Sequence, residues 1–294
     1  MMDTSSAGEL VYCDQNFLIA VRDAGQQYQE RVQRAVTSGQ VKFVVGLWSL
    51  VEVARARDES AMVGLATVID GLRPGFLRER RRLQRHEVEA QCFEYLALPF
   101  TRPSPICTLG EAVAELCNRA VPIGRQYSVV ELAPLLRTVM TPIESAIEEN
   151  AKARETNALA WKKGWIGGSR RRIFNEFVKK LLPDRTPEGL EICESLRRQF
   201  LNQVSIEQFP SVATEFVILE ESLGTGAGAS AQNFLDVQHG IALSHVRAVV
   251  SDDKKFTKLA NRVALRVPFH LGRMITRESF DREFLGGCEE LGRG

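Results

Sequence analysis

The chain has 294 residues, with 38 Lys and Arg against 37 Asp and Glu, and 44% of its side chains are hydrophobic. That length and composition can bury a core as one large domain or two ordinary ones, which excludes a disordered chain as the overall description. The formal charge of +1 argues at first sight against nucleic acid, because proteins that bind phosphate backbones are often strongly basic.

Leu10-Val11-Tyr12-Cys13 is a short apolar run rich in strand formers that stops at Asp14, which predicts a strand. From Phe17 onward the spacing turns helical, with Tyr28, Val32 and Val36 on one stripe. Val41 to Gly46 predicts a second strand, and Trp48 to Arg57 a helix that begins near Ser49. Two strands joined by helix make a βαβ unit with a parallel sheet and a right-handed crossover.

Residues 61 to about 230 contain no comparable strand. Helical stripes recur there instead: Val88, Cys92 and Leu96; Leu132, Leu136, Val139, Ile143 and Ile147; Cys193, Leu196, Phe200 and Val204; Val212, Phe216, Leu219 and Leu223. Prolines separate them, and a Gly-rich run at residues 224 to 230 reads as a flexible connector. The strand style then resumes, with a helix over residues 231 to 245, a strand at Arg247 to Ser251, a helix at Lys254 to Asn261 and a further strand at Val263 to Val267. The expected organisation is α/β: residues 1–60 give the first part of a core, 61–230 a large all-helical insertion or subdomain, and 231–294 the second part of the core.

The longest stretch free of Asp, Glu, Lys and Arg is residues 222 to 235, well short of the ~20 apolar residues that a bilayer span needs. The first ten residues hold two acids and no long apolar run, so no secretory signal is expected and a cytoplasmic location is the default. Cys13, Cys92, Cys107, Cys117, Cys193 and Cys288 form no C-x-x-C pair and read as buried, reduced thiols rather than a zinc site or disulfide framework.

In open α/β sheets, ligands gather at the carboxyl ends of the strands. Asp14 follows the first strand, with Asn16 two residues on; alone, this reads as a helix N-cap. Glu52 stands three residues beyond Ser49, the spacing of a capping box. Asp236 and His239 are an i, i+3 pair, which alone reads as a solvated helix face, and Ser251-Asp252-Asp253 ends the third strand as a turn would. Together, however, these elements deliver acids to one sheet edge. Four carboxylates within about 4 to 6 Å repel each other by several kcal/mol per pair at an effective dielectric near ~20, and a bound cation makes such a cluster tolerable. Oxygen ligands without a His or Cys cluster favour Mg²⁺ or Mn²⁺ over zinc.

The order of these elements resembles the PIN-domain nucleases. The matching motifs are Val11-Tyr-Cys-Asp14-Gln-Asn16; Val44-Val-Gly-Leu-Trp-Ser49-Leu-Val-Glu52; Phe234-Leu-Asp236-Val-Gln-His239-Gly-Ile-Ala242; and Val249-Val-Ser251-Asp252-Asp253-Lys-Lys-Phe256, followed by Ile275 to Phe280. The resemblance covers roughly residues 8–60 and 230–285 and implies a PIN-like central parallel sheet flanked by helices. It also implies an endoribonuclease in which Asp14, Glu52, Asp236 and Asp253 hold one or two Mg²⁺ or Mn²⁺ ions, leaving a 5′-phosphate and a 3′-hydroxyl. Asn16 and Ser251 would orient a carboxylate or water, and His239 either a substrate phosphate or simply the packing of its helix. Asp252 competes with Asp253 for the fourth place, and the spacing to Ser251 and Phe256 favours Asp253. A toxin of a toxin–antitoxin or defence system fits, with an antitoxin or other protein partner on the insertion, as does an RNA-processing enzyme. A flap-endonuclease-like DNA nuclease and an inert binding module are the alternatives, and a homo-oligomer is compatible with each.

Basic residues cluster in the insertion. Arg80, Arg81 and Arg82 open one helix together with Arg78 and Arg85, and residues 151–185 carry ten Lys or Arg against three acids, among them Lys162, Lys163, Arg170, Arg171, Arg172, Lys179 and Lys180. Such a density suits a phosphate backbone, with Trp161, Trp165 and Phe174 as stacking platforms; a solvated helix face over core aromatics is the plain alternative. The balanced total charge would then be a near-cancellation between acids at a sheet edge and basic helices.

Overall fold

The computed structural model describes residues 9–117, 126–138, 145, 149, 169–224 and 239–286. The expected helix at residues 231–238, the glycine connector at 225–230, and Asp236, Trp161, Trp165, Lys162, Lys163, Val139, Ile143, Ile147 and Cys288 lie outside the described residues.

The chain is α/β. A six-stranded mixed sheet has the order β4-β3-β2-β1-β5-β6, built from β1 (Glu9–Cys13), β2 (Val41–Gly46), β3 (Gly75–Leu77), β4 (Ile106–Cys107), β5 (Ala248–Val250) and β6 (Arg273–Ile275). All neighbours are parallel except β3 and β4. The sheet is therefore not wholly parallel, and the stretch expected to be all-helical supplies two of its strands. Both are too short, at three and two residues, to carry a readable alternation. Gly75 is required in β3 because a Cβ there would run into the Ile106 side chain of β4.

After β1, α1 (Gln15–Asp23) and α2 (Gln26–Thr37) are two helices, broken at Gly25, whose φ of +84° suits glycine. α3 (Leu47–Ala54) starts directly from β2 with Gly46 as its N-cap and no side-chain cap. The Ser49–Glu52 capping box thus does not form, since both residues lie inside the helix, and Glu52 is released from that role. α4 (Glu59–Leu72), α5 (Arg80–Tyr95), α6 (Leu109–Cys117) and α7 (Val129–Thr138) follow.

Strand alternation divides the interior. Val11, Cys13, Phe43, Val45, Ala248 and Val250 face a core shared with α1 to α4, α6 and α7, so much of residues 61–138 packs on the sheet itself. Tyr12, Val44 and Val249 face the opposite side, against Leu83 of α5, Ile241 and Phe256.

A second core lies among α5, α8 (Arg170–Lys179), α9 (Glu194–Gln203), α10 (Pro210–Gly224) and α11 (Lys254–Ala264). Phe216 anchors it, in edge-on contact with Phe174 at 5.4 Å and Phe177 at 5.5 Å between ring centroids. The expected strand at Val263–Val267 is not one: α11 runs to Ala264, Val263 and Val267 are buried in this second core, and Leu265 between them is 87% exposed. A short apolar run cannot be told from helix by composition alone. The chain instead returns to the sheet as β6 and continues into α12 (Arg277–Phe280) and a π-helical turn at Asp281–Leu285. Cys13, Cys92 and Cys107 are buried thiols as expected, whereas Cys193 is exposed at the start of α9, as is Leu196. Among the described residues no helix is long and apolar enough to cross a membrane.

Candidate functional site

The parallel strands β1, β2, β3, β5 and β6 share one carboxyl edge. Because side chains alternate along a strand, Tyr12 and Asp14, Val44 and Gly46, and Val249 and Ser251 emerge on the same face there. The register supports this grouping, with Tyr12 opposite Val44 and Val249.

Asp14 is only 7% exposed. It caps α1, its Oδ1 accepting from the Phe17 amide at 2.8 Å, so the plain capping reading holds. The Ser251 hydroxyl also bonds to the Asp14 carboxyl, and Ser251 Oγ accepts from the Asp253 amide at 3.1 Å. Burial, assisted by the negative charge of Glu52, pushes the Asp14 carboxyl up to about 6, against the opposing pull of Ser251, the Phe17 amide and His239.

Glu52, one turn into α3, directs Oε2 toward His239 Nε2 at 3.7 Å. That oxygen is buried and has no hydrogen-bond partner among the described residues. His239 is buried in turn, and its Nδ1 lies 2.6 Å from the phenolic oxygen of Tyr12. Tyr12 itself is buried, and burial followed by the charge of Glu52 drives its ionisation well above the usual tyrosine range. Gly46 makes room for the phenol: a Cβ at that position would collide with the Tyr12 hydroxyl.

The structure therefore brings Asp14, Glu52, His239 and Ser251 together. The Asp253 carboxylate caps α11, its Oδ1 accepting from the amides of Lys255 at 2.7 Å and Phe256 at 3.1 Å. Asp252 is exposed and accepts from the Arg277 amide at 3.1 Å. Asn16 is exposed on the first turn of α1. Asp236 lies outside the described residues. Among the described residues, no group of three or more His, Cys, Asp or Glu is arranged to hold a metal ion. The sequence missed Tyr12 and Gly46; the available signal was an aromatic residue two positions before Asp14 in an otherwise aliphatic strand.

The arginines divide by role. α5 follows β3, so its basic first turn begins at the same sheet edge, and Tyr12, Gly46, Leu77, Arg78 and Arg80 line one small cavity there. Arg80 is not available to a phosphate, because it is ion-paired with the buried carboxylate of Glu215, which Gln84 also contacts. Arg81 and Arg82 are exposed. In the helical layer Arg170 pairs with Glu220 at 3.1 Å and lies 5.7 Å over the Phe216 ring. Arg171 donates to the Asn202 carbonyl at 2.7 Å. With Arg172, Lys179 and Arg198 it lines a groove of about 450 Å³ between α8 and α9. Phe174, expected as a stacking platform, is 3% exposed and serves the core instead.

Comparison of the chain with protein-family models, with curated proteins and with solved structures finds no match.

Proposed function

We propose that this chain is a metal-dependent endoribonuclease with a PIN-like core, in which the carboxyl edge of the sheet binds Mg²⁺ or Mn²⁺. The observation that carries the reading is the pairing of Asp14 and Glu52. They are two acids on different elements, both held out of water, one pushed up to about 6 and the other with a buried oxygen that has no hydrogen-bond partner among the described residues. A hard divalent cation suits such oxygen donors and would relieve both penalties. When bound, it supplies activation of water and stabilisation of charge at phosphorus.

The chain's own residues then have separable tasks. Asp14 and Glu52 bind, with Asp236 and Asp253 as the further acids; Asp14 and Asp253 each cap a helix through Oδ1, which leaves Oδ2 for a cation. Ser251 steadies the Asp14 carboxylate, and His239 stands against Glu52. Asn16 and Asp252 are reserves at the rim. Arg81, Arg82, Arg171 and Arg172 are the exposed cations available to the RNA backbone. A cytoplasmic toxin with a protein antitoxin, or an RNA-processing enzyme, fits this chemistry.

A second reading, an inert binding module on the same core, is favoured by one specific observation: the carboxylates of Asp14 and Asp253 already serve as helix caps. Incubating the full chain with RNA and branched DNA in Mn²⁺ or Mg²⁺ separates the readings. The nuclease reading expects RNA cleavage that EDTA stops and that Asp14→Asn abolishes in a folded protein. Salt-sensitive RNA binding without hydrolysis would support the inert module, and preferential cleavage of branched DNA would move the assignment to a flap-type nuclease.

A further inference from the structure

We propose that the cleft between α8 and α9 is a nucleotide-binding site, with a phosphate subsite among Arg171, Arg172, Lys179 and Arg198 and a base subsite against Phe174, Val204, Ile206 and Phe216. It shares no residue with the acidic sheet edge, and it does not rest on the nuclease reading.

Two cavities adjoin there. One, of about 450 Å³, is lined by Arg171, Arg172, Lys179 and Arg198, against Glu176 as the acid in its wall. The other, of about 400 Å³, has Phe174, Val204, Ile206 and Phe216 as its apolar lining. Both fall in the range of about 300–1,000 Å³ typical of small-molecule sites. Arg171 and Asn175 line both, so the cationic and apolar chambers meet at these two residues. A ligand that fills the pair needs an anionic group joined to a largely apolar body. Four cations against one acid suit the double charge of a phosphate better than a single carboxylate. Asn175, Gln203 and Ser205 also line the apolar chamber, which suits a heteroaromatic base with polar edges rather than an acyl chain. A nucleotide unit, free or within an RNA strand, meets these requirements.

The cations of this cleft differ in their commitments. Arg170 is paired with Glu220, and Arg198 makes only a weak exposed pair with Glu194 at 3.4 Å. Arg171 donates to the Asn202 carbonyl at 2.7 Å, a neutral acceptor that orients the guanidinium and leaves its charge uncompensated. Among the described residues no carboxylate pairs with Arg171, Arg172 or Lys179. A guanidinium held at one N–H and free at the others presents its planar fork to a phosphate. Asn175 is fixed in a similar way, its Nδ2 donating to the Leu201 carbonyl at 2.9 Å. Its Oδ1 is then buried with no hydrogen-bond partner among the described residues. A buried acceptor left unpaired is costly, and a ribose hydroxyl or base amine seated where the chambers meet would pair it.

The test is calorimetric titration of the full chain at low salt, in EDTA to stop metal-dependent cleavage, with adenosine 5′-monophosphate, adenosine and inorganic phosphate. The expected result is saturable binding of the nucleotide, at least about 10-fold tighter than either half alone. Arg171→Ala should weaken it about 10- to 100-fold, the size of a lost charge-assisted hydrogen bond. Arg172→Gln/Lys179→Gln, at two exposed positions, should weaken it at least about 3-fold and reduce its salt dependence. No saturable nucleotide binding, equal binding of nucleotide and phosphate, or unchanged binding in both folded variants overturns the proposal. RNA binding without nucleotide binding overturns it as well, since a diffuse phosphate track would suffice. Competition with a 5′-phosphorylated tetra-adenylate separates the sources. Displacement of the nucleotide at a lower concentration than the nucleotide itself requires marks an RNA strand as the occupant, and weaker displacement or none marks the free nucleotide; each supports the site. Nucleotide binding by a protein that cleaves no RNA supports the site and sinks the nuclease reading alone.

Discussion

Asp14→Asn is expected to stabilise the metal-free protein. The carboxyl is pushed up to about 6 by burial and the Glu52 charge, against about 3.9 for an unperturbed Asp. Between about pH 4 and 6 the folded chain therefore holds a proton that the unfolded chain has released. Stability falls as pH rises through that window, and the full penalty remains above it. A gap of that size corresponds to about 3 kcal/mol at neutral pH. Asparagine is a good N-cap and can still accept from the Phe17 amide, so the substitution removes the buried charge while keeping the cap. Urea unfolding in EDTA at a series of pH values, taken as the difference between the two proteins, isolates the term. The variant should be more stable by about 2–3 kcal/mol near pH 8, with the difference vanishing below about pH 4. A variant less stable near pH 8, or a difference that does not change with pH, would refute the assigned cause.

Arg80→Ala should cost about 3 kcal/mol, because it removes the cation paired with the buried Glu215 carboxylate and leaves it the Gln84 amide. Arg81→Ala/Arg82→Ala should change stability by less than about 1 kcal/mol while weakening RNA binding and flattening its salt dependence, read from binding isotherms at several ionic strengths. Gly46→Ala should lower stability by about 1–3 kcal/mol in thermal or urea unfolding, since its methyl group competes with the Tyr12 hydroxyl for one space.

Much of the sheet was legible because β1, β2 and β5 are buried on both faces and read as plain apolar runs. β3 and β4 were not, since two or three residues carry no period, and Val263 with Val267 imitated a strand while packing into the helical layer. The site divides the same way. Asp14, Glu52 and Ser251 could be placed because each follows a recognisable strand. Tyr12 and Gly46 could not, because their relation exists only once β1 and β2 are paired. Asp253 was selected by spacing, yet spacing does not reveal that the α11 amides take its carboxylate. Nor does a run of arginines show that Arg80 turns inward to Glu215 while its two neighbours face solvent. Net charge does not report what a surface offers for a related reason: buried ion pairs such as Arg80–Glu215 consume part of the charge, and the exposed remainder is what can meet a partner.

The central claim is that Asp14 and Glu52 form a divalent-cation site. Calorimetric titration of Mn²⁺ into the full chain, beside the folded Asp14→Asn/Glu52→Gln variant, tests it most directly. Saturable binding in the unmodified protein that disappears in the variant is the predicted result. No binding by the unmodified chain, or equal binding by both, would contradict the account.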